Sequence, residues 1–140
     1  MNKKGPIIII EDDLDDQEIL QAVFRKLAYC NEIVFFTEPE KALAYLGQTT
    51  VVPFLILSDI NMPRLNGLEL KRQIHTNAQL QIKCIPYLFF TTSADRTAVA
   101  EAYSMSAQGF FIKQTSEAEL ENTIKIIIEY WQRCYSPNTF

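Results

Sequence analysis

The chain has 140 residues, 48% of them hydrophobic and 21% charged, which is enough for one domain with its own core and too short for two. Its net charge of −4, with no local run of Lys or Arg, argues against direct binding of nucleic acid. Its three widely spaced cysteines and single histidine predict neither a disulfide framework nor a zinc site, and they are typical of a reducing compartment.

Short apolar runs alternate with amphipathic segments from the first residues onward. The run from Ile7 to Ile10 predicts a buried strand. Because this run is too short for a signal peptide and ends at three acids, we expect a cytoplasmic protein with no membrane segment. A helix follows, with Asp15 and Asp16 in its first turns, where the helix dipole favours negative charge. Its predicted apolar face consists of Ile19, Leu20, Val23, Phe24 and Leu27.

The same alternation continues along the chain, and several helix ends carry recognisable signals. Thr37 with Pro39 and Glu40 is typical of a capped helix start, and Gly47 is typical of a helix end. Ser93 is expected to cap the fourth helix. The later strands are expected at 33–36, 54–57, 87–90 and 110–112, the third helix at 66–75, a polar connection at 76–83 and the fourth helix at about 95–105.

The final helix is expected to open at Ser116, which begins a second capping box. We expect residues 1–134 to form one domain and residues 135–140 to form a loose tail, with no output domain attached. The apolar side of the fourth helix carries Val99, Ala102 and Met105, and that of the last helix carries Leu120, Ile124, Ile127, Ile128 and Trp131.

Five strands that alternate with five helices predict an α/β fold with a parallel sheet covered on both faces. Right-handed crossovers and a single reversal of winding favour a doubly wound, flavodoxin-like sheet with the strand order 2-1-3-4-5. The carboxyl ends of parallel strands meet at one edge. The first and third strands would flank the crevice in which ligands bind.

Polar residues stand at this edge, directly after the apolar runs: Glu11 and Asp12, Asp59, Thr91 and Lys113. Each alone is explained by a helix cap, a turn or a solvated lysine, and only their joint position favours a site. Three carboxylates in one crevice repel one another, and Mg²⁺ offsets such charge while sharing its coordination with phosphate oxygens. We therefore predict that Asp59 is a nucleophile toward phosphorus, with Lys113 and Thr91 contacting the phosphoryl group.

Four motifs carry a resemblance that covers nearly the whole chain; they are Ile9–Asp13, Leu57–Gly67, Ile85–Thr91 and Gly109–Lys113. On these motifs the chain resembles the receiver domain of bacterial two-component response regulators, of the stand-alone type. The resemblance implies that a histidine kinase or phosphotransfer protein phosphorylates Asp59, with Thr91 and Phe110 as switch residues that change position. It also implies a Mg²⁺ ion held by Glu11, Asp12, Asp59 and the backbone carbonyl of Asn61.

Two positions depart from the family pattern. Gln114 follows Lys113, whereas the family normally has a proline there in a cis bond, so we expect a different loop shape. Thr92 stands where the family tends to have Ala or Gly. We expect this extra bulk to alter access to the acyl phosphate and to change its lifetime modestly.

The signal is expected to leave through contact with another protein. Ile126, Ile127 and Ile128 are consecutive in the last helix, so at least one of them points away from the core, near Tyr130 and Trp131. This makes the fourth helix, the fifth strand and the fifth helix a candidate face for a downstream protein or for a homodimer. A helix buried on a broad side explains the same pattern equally well.

Two other functions stay open. The first is a dehalogenase-like phosphatase, which also uses a strand-end Asp nucleophile with Mg²⁺; Asn61 in place of its second Asp and the lack of a cap domain disfavour it. The second is a receiver-like scaffold that does not accept phosphate, which the acidic pair, Asp59, Thr91 and Lys113 disfavour. We therefore expect a regulatory phosphoacceptor rather than an enzyme.

Overall fold

The computed structural model describes residues 1–48, 50–62, 65–92 and 94–137, and these form five strands and six helices. The strands are β1 (Ile7–Ile10), β2 (Ile33–Phe36), β3 (Leu55–Ser58), β4 (Tyr87–Thr91) and β5 (Gly109–Ile112). The helices are α1 (Leu14–Leu27), α2 (Pro39–Leu46), α3 (Gly67–Thr76), α4 (Ala78–Gln81), α5 (Arg96–Ser104) and α6 (Glu117–Arg133).

The strands form one parallel sheet in the order β2-β1-β3-β4-β5, which confirms the predicted doubly wound α/β fold. Ile10 at the end of β1 pairs with Ser58 at the end of β3. Thr91 at the end of β4 pairs with Ile112 at the end of β5. These registers bring the residues that follow all four strands to one edge of the sheet.

Alternate residues of the central strands enter two separate cores. In β1, Ile8 and Ile10 belong to the core covered by α2, α3 and α5, and Ile7 and Ile9 belong to the core covered by α1 and α6. All four isoleucines are buried, which explains why β1 is a continuous apolar run rather than an alternating one. Each such side chain contributes roughly 1.5–3 kcal/mol by leaving water.

Some predicted elements differ from the observed ones. The third strand begins and ends one residue later than the expected 54–57. Its last residue is therefore Ser58, and Asp59 follows it directly. The connection expected to be irregular contains α4, whose first amides donate to the side chain of Asn77. Four residues are too few for helical periodicity to appear in a sequence, which is why α4 was missed. The predicted fourth and fifth helices are α5 and α6 of the structure.

Two predicted caps also need correction. The N-cap of α2 is Glu38 rather than Thr37, and it makes no side-chain capping bond; Pro39 in the first turn sets this start. The cap of α5 is Asp95, whose Oδ1 atom accepts from the amide of Ala98 at 2.7 Å. Ser93, the predicted cap, lies outside the described residues.

Residues 135–137 are docked rather than loose, in contrast to the expected tail. The Ser136 hydroxyl is buried and donates to the carbonyl of Met1 at 3.0 Å. The Lys3 ammonium lies 4.9 Å from the ring centroid of Tyr135. Residues 138–140 lie outside the described part of the chain. None of the described helices is long and apolar enough to cross a membrane.

Candidate functional site

Backbone hydrogen bonds extend the sheet ladder past the strand ends and fix the residues that follow. The amide of Asp59 donates to the carbonyl of Ile10 at 3.0 Å, and the amide of Glu11 donates to that of Phe36 at 2.9 Å. The amide of Lys113 donates to the carbonyl of Thr91 at 2.7 Å. Glu11, Asp59 and Lys113 are therefore held in place by the sheet itself.

The predicted acidic cluster is assembled at this edge. Glu11, Asp12 and Asp59 each offer a carboxylate oxygen, and these atoms lie within 4.8 Å of one another. Glu11 and Asp59 are buried, and Asp12 is half-buried. Asp13 has a separate role, because its Oδ1 atom accepts from the amides of Asp15 and Asp16 and caps α1.

Lys113 joins β5 to this cluster. Its Nζ atom donates to Oε1 of Glu11, to Oδ2 of Asp16 at 2.9 Å and to Oδ2 of Asp59 at 3.4 Å. The Lys113 side chain is 10% exposed, so this is a largely buried ion-pair network rather than a surface one. Sequence reasoning treated Asp16 only as an acid near the start of a helix; nothing in its spacing showed that it reaches β5.

Burial and charge oppose one another in the Glu11–Lys113 pair. Burial raises the pKa of Glu11 to about 8, with the nearby Asp59 charge adding to the rise, although the Lys113 ammonium acts to lower it. Burial alone would lower the pKa of Lys113, but its bonds to Glu11 and Asp16 and the negative charges raise it to about 12. The facing side chains of Glu11, Asp16 and Asp59 keep the Lys113 ammonium charged.

The two oxygens of Asp59 have different surroundings. Oδ1 accepts from the amide of Ile60 at 2.7 Å, while Oδ2 faces Lys113. Behind the residue, the start of α3 packs so closely that a Cβ at Gly67 would overlap the backbone carbonyl oxygen of Asp59. The Ser58 hydroxyl donates to that same oxygen at 2.9 Å. These contacts hold Asp59 in place, and only its Oδ2 atom faces the Lys113 ammonium.

Thr91 is buried, and its hydroxyl oxygen has no hydrogen-bond partner within the described residues. Such an orphaned hydroxyl is costly unless a ligand supplies the partner. Thr92 is exposed and lines a cavity of about 350 Å³ together with Lys113 and Gln114. The Lys113–Gln114 bond is trans, so the loop departs from the family's cis geometry as expected.

The two remaining predicted residues have less distinctive surroundings. Asn61 is exposed and stands two residues after Asp59 in the chain. Phe110 is half-buried and packs against Phe89 with ring centroids 5.8 Å apart, as an ordinary core aromatic does. Neither the exposure of Asn61 nor the packing of Phe110 assigns a role to these residues by itself.

The donor set fits a hard divalent cation. It consists of carboxylate oxygens without His or Cys nitrogen or sulfur, it is partly solvent-accessible, and it carries excess negative charge. The orphaned Thr91 hydroxyl adds a group suited to an oxyanion beside the cation. Oxygen ligands, a neighbouring ammonium and a free hydroxyl are the groups that bind Mg²⁺ and a phosphoryl group together.

A doubly wound sheet that carries an acidic cluster, a strand-end aspartate and a strand-end lysine at one edge defines the receiver class of two-component signalling proteins. The profile of the response regulator receiver domain matches residues 7–125, and the chain belongs to this family. It is therefore a phosphoacceptor signalling module of the two-component type. Proteins of this class interact with histidine kinases or phosphotransfer proteins and with downstream targets, and they bind Mg²⁺ or Mn²⁺ at the acidic pocket.

Proteins with similar sequences align with almost the whole chain. One is the probable methanogenesis regulatory protein FilR2 of Methanothrix harundinacea, which is 29% identical over 89% of this chain and 82% of its own length. Another is response regulator Rcp1 of Synechocystis sp., which is 27% identical over 93% of this chain and 90% of its own length. Among solved structures, the phosphorylated cyanobacterial phytochrome response regulator RcpA superposes with a TM-score of 0.83 at 25% identity, covering 94% of this chain and 96% of RcpA.

Proposed function

We propose that Asp59 is the phosphoacceptor and that a histidine kinase or phosphotransfer protein is the donor. The observation that carries this proposal is the placement of Asp59 Oδ2, 3.4 Å from the Lys113 ammonium and within the same cluster as Glu11 and Asp12. The oxygen held by the Ile60 amide fixes the carboxylate, which leaves Oδ2 as the attacking atom. Asp59 is thereby oriented before the donor arrives.

The transfer forms an Asp59 Oδ2–P bond and breaks the P–N bond of the donor's phosphohistidine. The electron pair of that bond stays on the ring nitrogen, and the ring leaves as neutral imidazole because its other nitrogen already carries a proton. Lys113 contacts the oxygens of the transferred group from the β5 side, where it already faces Oδ2. The Thr91 hydroxyl donates to another of these oxygens and so gains the partner that it lacks among the described residues. Both residues act through charge and position rather than through covalent chemistry.

Glu11, Asp12, Asp59 and the backbone carbonyl of Asn61 are the proposed ligands of the Mg²⁺ ion. When bound, Mg²⁺ would neutralise the negative charge that develops on the phosphoryl oxygens. A relative, Rcp1, has been solved in an Mn²⁺-bound form, with a TM-score of 0.80 to this chain at 25% identity over 94% of it. Oxygen-only ligation of this kind is consistent with either cation.

Phosphorylation is proposed to change the position of Thr91 and, behind it, of Phe110. A phosphoryl group shifts a two-state equilibrium only through contacts that differ between the states, and the orphaned Thr91 hydroxyl is such a contact. The proposed output surface is the face of α5, β5 and α6, where four large hydrophobic side chains are exposed: Tyr103, Ile112, Ile126 and Tyr130. It would receive a downstream protein or a second copy of the chain, in the cytoplasm.

The phosphoacceptor proposal is tested by incubating the protein with acetyl phosphate and Mg²⁺ and measuring its intact mass. We expect one phosphoryl adduct in the wild type and none in Asp59→Asn. Asp13→Asn is the matched control, because Asp13 caps α1 outside the cluster and Asn caps a helix equally well. An adduct that persists in Asp59→Asn would overturn the assignment, and no adduct in the wild type would favour a scaffold. The domain's own chemistry is proposed to be limited to phosphorylation and dephosphorylation at Asp59.

The output face is tested by sedimentation with and without beryllium fluoride, a phosphoryl mimic, in the wild type and in Ile126→Ser. A mass increase with the mimic that is lost in Ile126→Ser would assign a homodimer to this face. An unchanged mass in all samples would contradict a phosphorylation-gated dimer.

A further inference from the structure

A buried lysine lies outside the acidic cluster and plays no part in the proposed transfer. Lys71, in α3, is only 5% exposed. Its Nζ atom lies 5.5 Å from the ring centroid of Tyr87, and within the described residues it has no hydrogen-bond acceptor and no carboxylate in ion-pair range. Burial lowers the pKa of Lys71, because no neighbouring charge offsets the loss of water around the ammonium.

This lysine lines a cavity of about 340 Å³ at the amino ends of β4 and β5. The cavity therefore opens at the opposite edge of the sheet from Asp59. Its walls include the apolar residues Ile74, Ile85, Pro86 and Trp131 and the polar residues His75, Gln81, Ser106 and Gln108. No carboxylate lines it in the part of the chain that the structure describes. Its size lies at the lower end of the range for small-molecule sites, roughly 300–1,000 Å³.

The combination of one largely buried ammonium and an apolar wall on the Trp131 side favours one class of ligand. A buried charge without a counter-ion is unfavourable, and an anion that enters the cavity would relieve this cost. A phosphate dianion has no apolar surface to place against Trp131 and Ile85, so it would leave that side of the cavity unfilled. A carboxylate needs fewer donors, and the rest of such a ligand could pack against Trp131 and Ile85.

We propose that this cavity binds a small organic carboxylate with an apolar body, with its carboxylate paired to the Lys71 ammonium and its apolar part against Trp131. The cation–π contact with Tyr87 holds the lysine in place from one side and leaves its donors for the ligand. This proposal does not depend on Asp59 being the phosphoacceptor, and its test can fail or succeed independently.

The test uses benzoate as the probe and the fluorescence of Trp131 as the readout, since Trp131 is the single tryptophan of the chain and lines the cavity. We expect a saturable change in emission with benzoate. Benzamide, which has the same shape without the charge, is expected to bind at least tenfold more weakly. Inorganic phosphate is expected to cause no saturable change.

Three variants complete the test. Lys71→Met keeps the length and buried character of the side chain without the charge, and we expect benzoate binding to weaken at least tenfold. Lys125→Met removes an exposed lysine from the same helix as Trp131 and is expected to bind benzoate as the wild type does. Ile85→Phe narrows the cavity with Lys71 intact and is expected to weaken binding. Equal affinity of Lys71→Met and wild type, or no saturable binding by the wild type, would overturn the proposal.

Discussion

The ammonium nitrogen of Lys113 lies 3.4 Å from the Oδ2 atom of Asp59, and it also contacts Glu11 and Asp16. The ammonium thus balances the charges of Asp16 and Asp59, and also that of Glu11 when Glu11 is ionised. Any metal ion at this site must share these oxygens with the ammonium, so Lys113 affects stability, metal affinity and phosphorylation in different directions.

Lys113→Met is expected to lower the free energy of unfolding by about 2 kcal/mol without Mg²⁺, because it leaves the facing carboxylates without their cation. The same variant should bind Mg²⁺ several-fold more tightly, since no ammonium competes for the oxygens. Denaturant unfolding and calorimetric Mg²⁺ titration measure the two effects. Lys125→Met, at an exposed position, should change neither quantity, and weaker Mg²⁺ binding in Lys113→Met would contradict this account.

The raised pKa of Glu11 predicts a pH dependence with a definite sign. The pKa rises from 4.5 to about 8 on folding, so the proton on Glu11 stabilises the metal-free protein at low pH, and this contribution is lost as the pH rises through about 8. Mg²⁺ requires the ionised carboxylate. Its affinity should therefore increase between about pH 6 and pH 8, by at most about tenfold per unit, with proton release. Calorimetry in two buffers of different ionisation enthalpy measures this release, and Glu11→Gln should abolish its Glu11-dependent part.

The orphaned hydroxyl of Thr91 predicts opposite effects on stability and on signalling. Thr91→Val replaces the unpartnered hydroxyl with a methyl group, and we expect the free energy of unfolding to rise by about 1 kcal/mol. The response to phosphorylation, measured as the change in amide chemical shifts with beryllium fluoride, should be reduced. Thr91→Ser keeps the hydroxyl and should keep the response. A destabilised Thr91→Val would show that the hydroxyl has a favourable partner after all.

Gly67→Ala is expected to lower the free energy of unfolding by about 3 kcal/mol, because the new Cβ would overlap the Asp59 carbonyl and neither backbone can move freely. Phosphorylation by acetyl phosphate should slow as Asp59 is displaced. Gly47→Ala is the matched control, since a Cβ there makes only ordinary contacts in a helical conformation; it should raise stability by about 0.5 kcal/mol. Equal unfolding midpoints for the two variants would refute the role of close packing at Gly67.

Thr92→Ala is expected to change the lifetime of the acyl phosphate by a few-fold without changing the yield of phosphorylation. Thr92 is exposed and lines the cavity beside Lys113, where we expect its side chain to limit the approach of water to the acyl phosphate. The measurement is the decay of the phosphorylated species by intact mass after removal of the donor. An unchanged lifetime would show that Thr92 does not affect hydrolysis of the acyl phosphate.

The fold was predictable because buried parallel strands are continuous apolar runs and the helices between them have apolar faces. The acidic cluster was predictable because its members directly follow those strands. The contact of Asp16 with Lys113 was not, since an acid in the first turn of a helix already has a sufficient explanation in the helix dipole. Lys71 was not predictable either, because a helical lysine is normally exposed and its burial depends on tertiary packing.

Tyr87 contacts α3 at two points, one behind Asp59 and one at the Lys71 ammonium. Its hydroxyl donates to the carbonyl of Gly67 at 3.2 Å, directly behind Asp59, while its ring lies beside the Lys71 ammonium. A carboxylate paired with Lys71 beside this ring and a Mg²⁺ ion bound at Asp59 would act on the same buried side chain. Thermodynamic linkage then requires reciprocity: the factor by which benzoate changes the affinity for Mg²⁺ must equal the factor by which Mg²⁺ changes the affinity for benzoate.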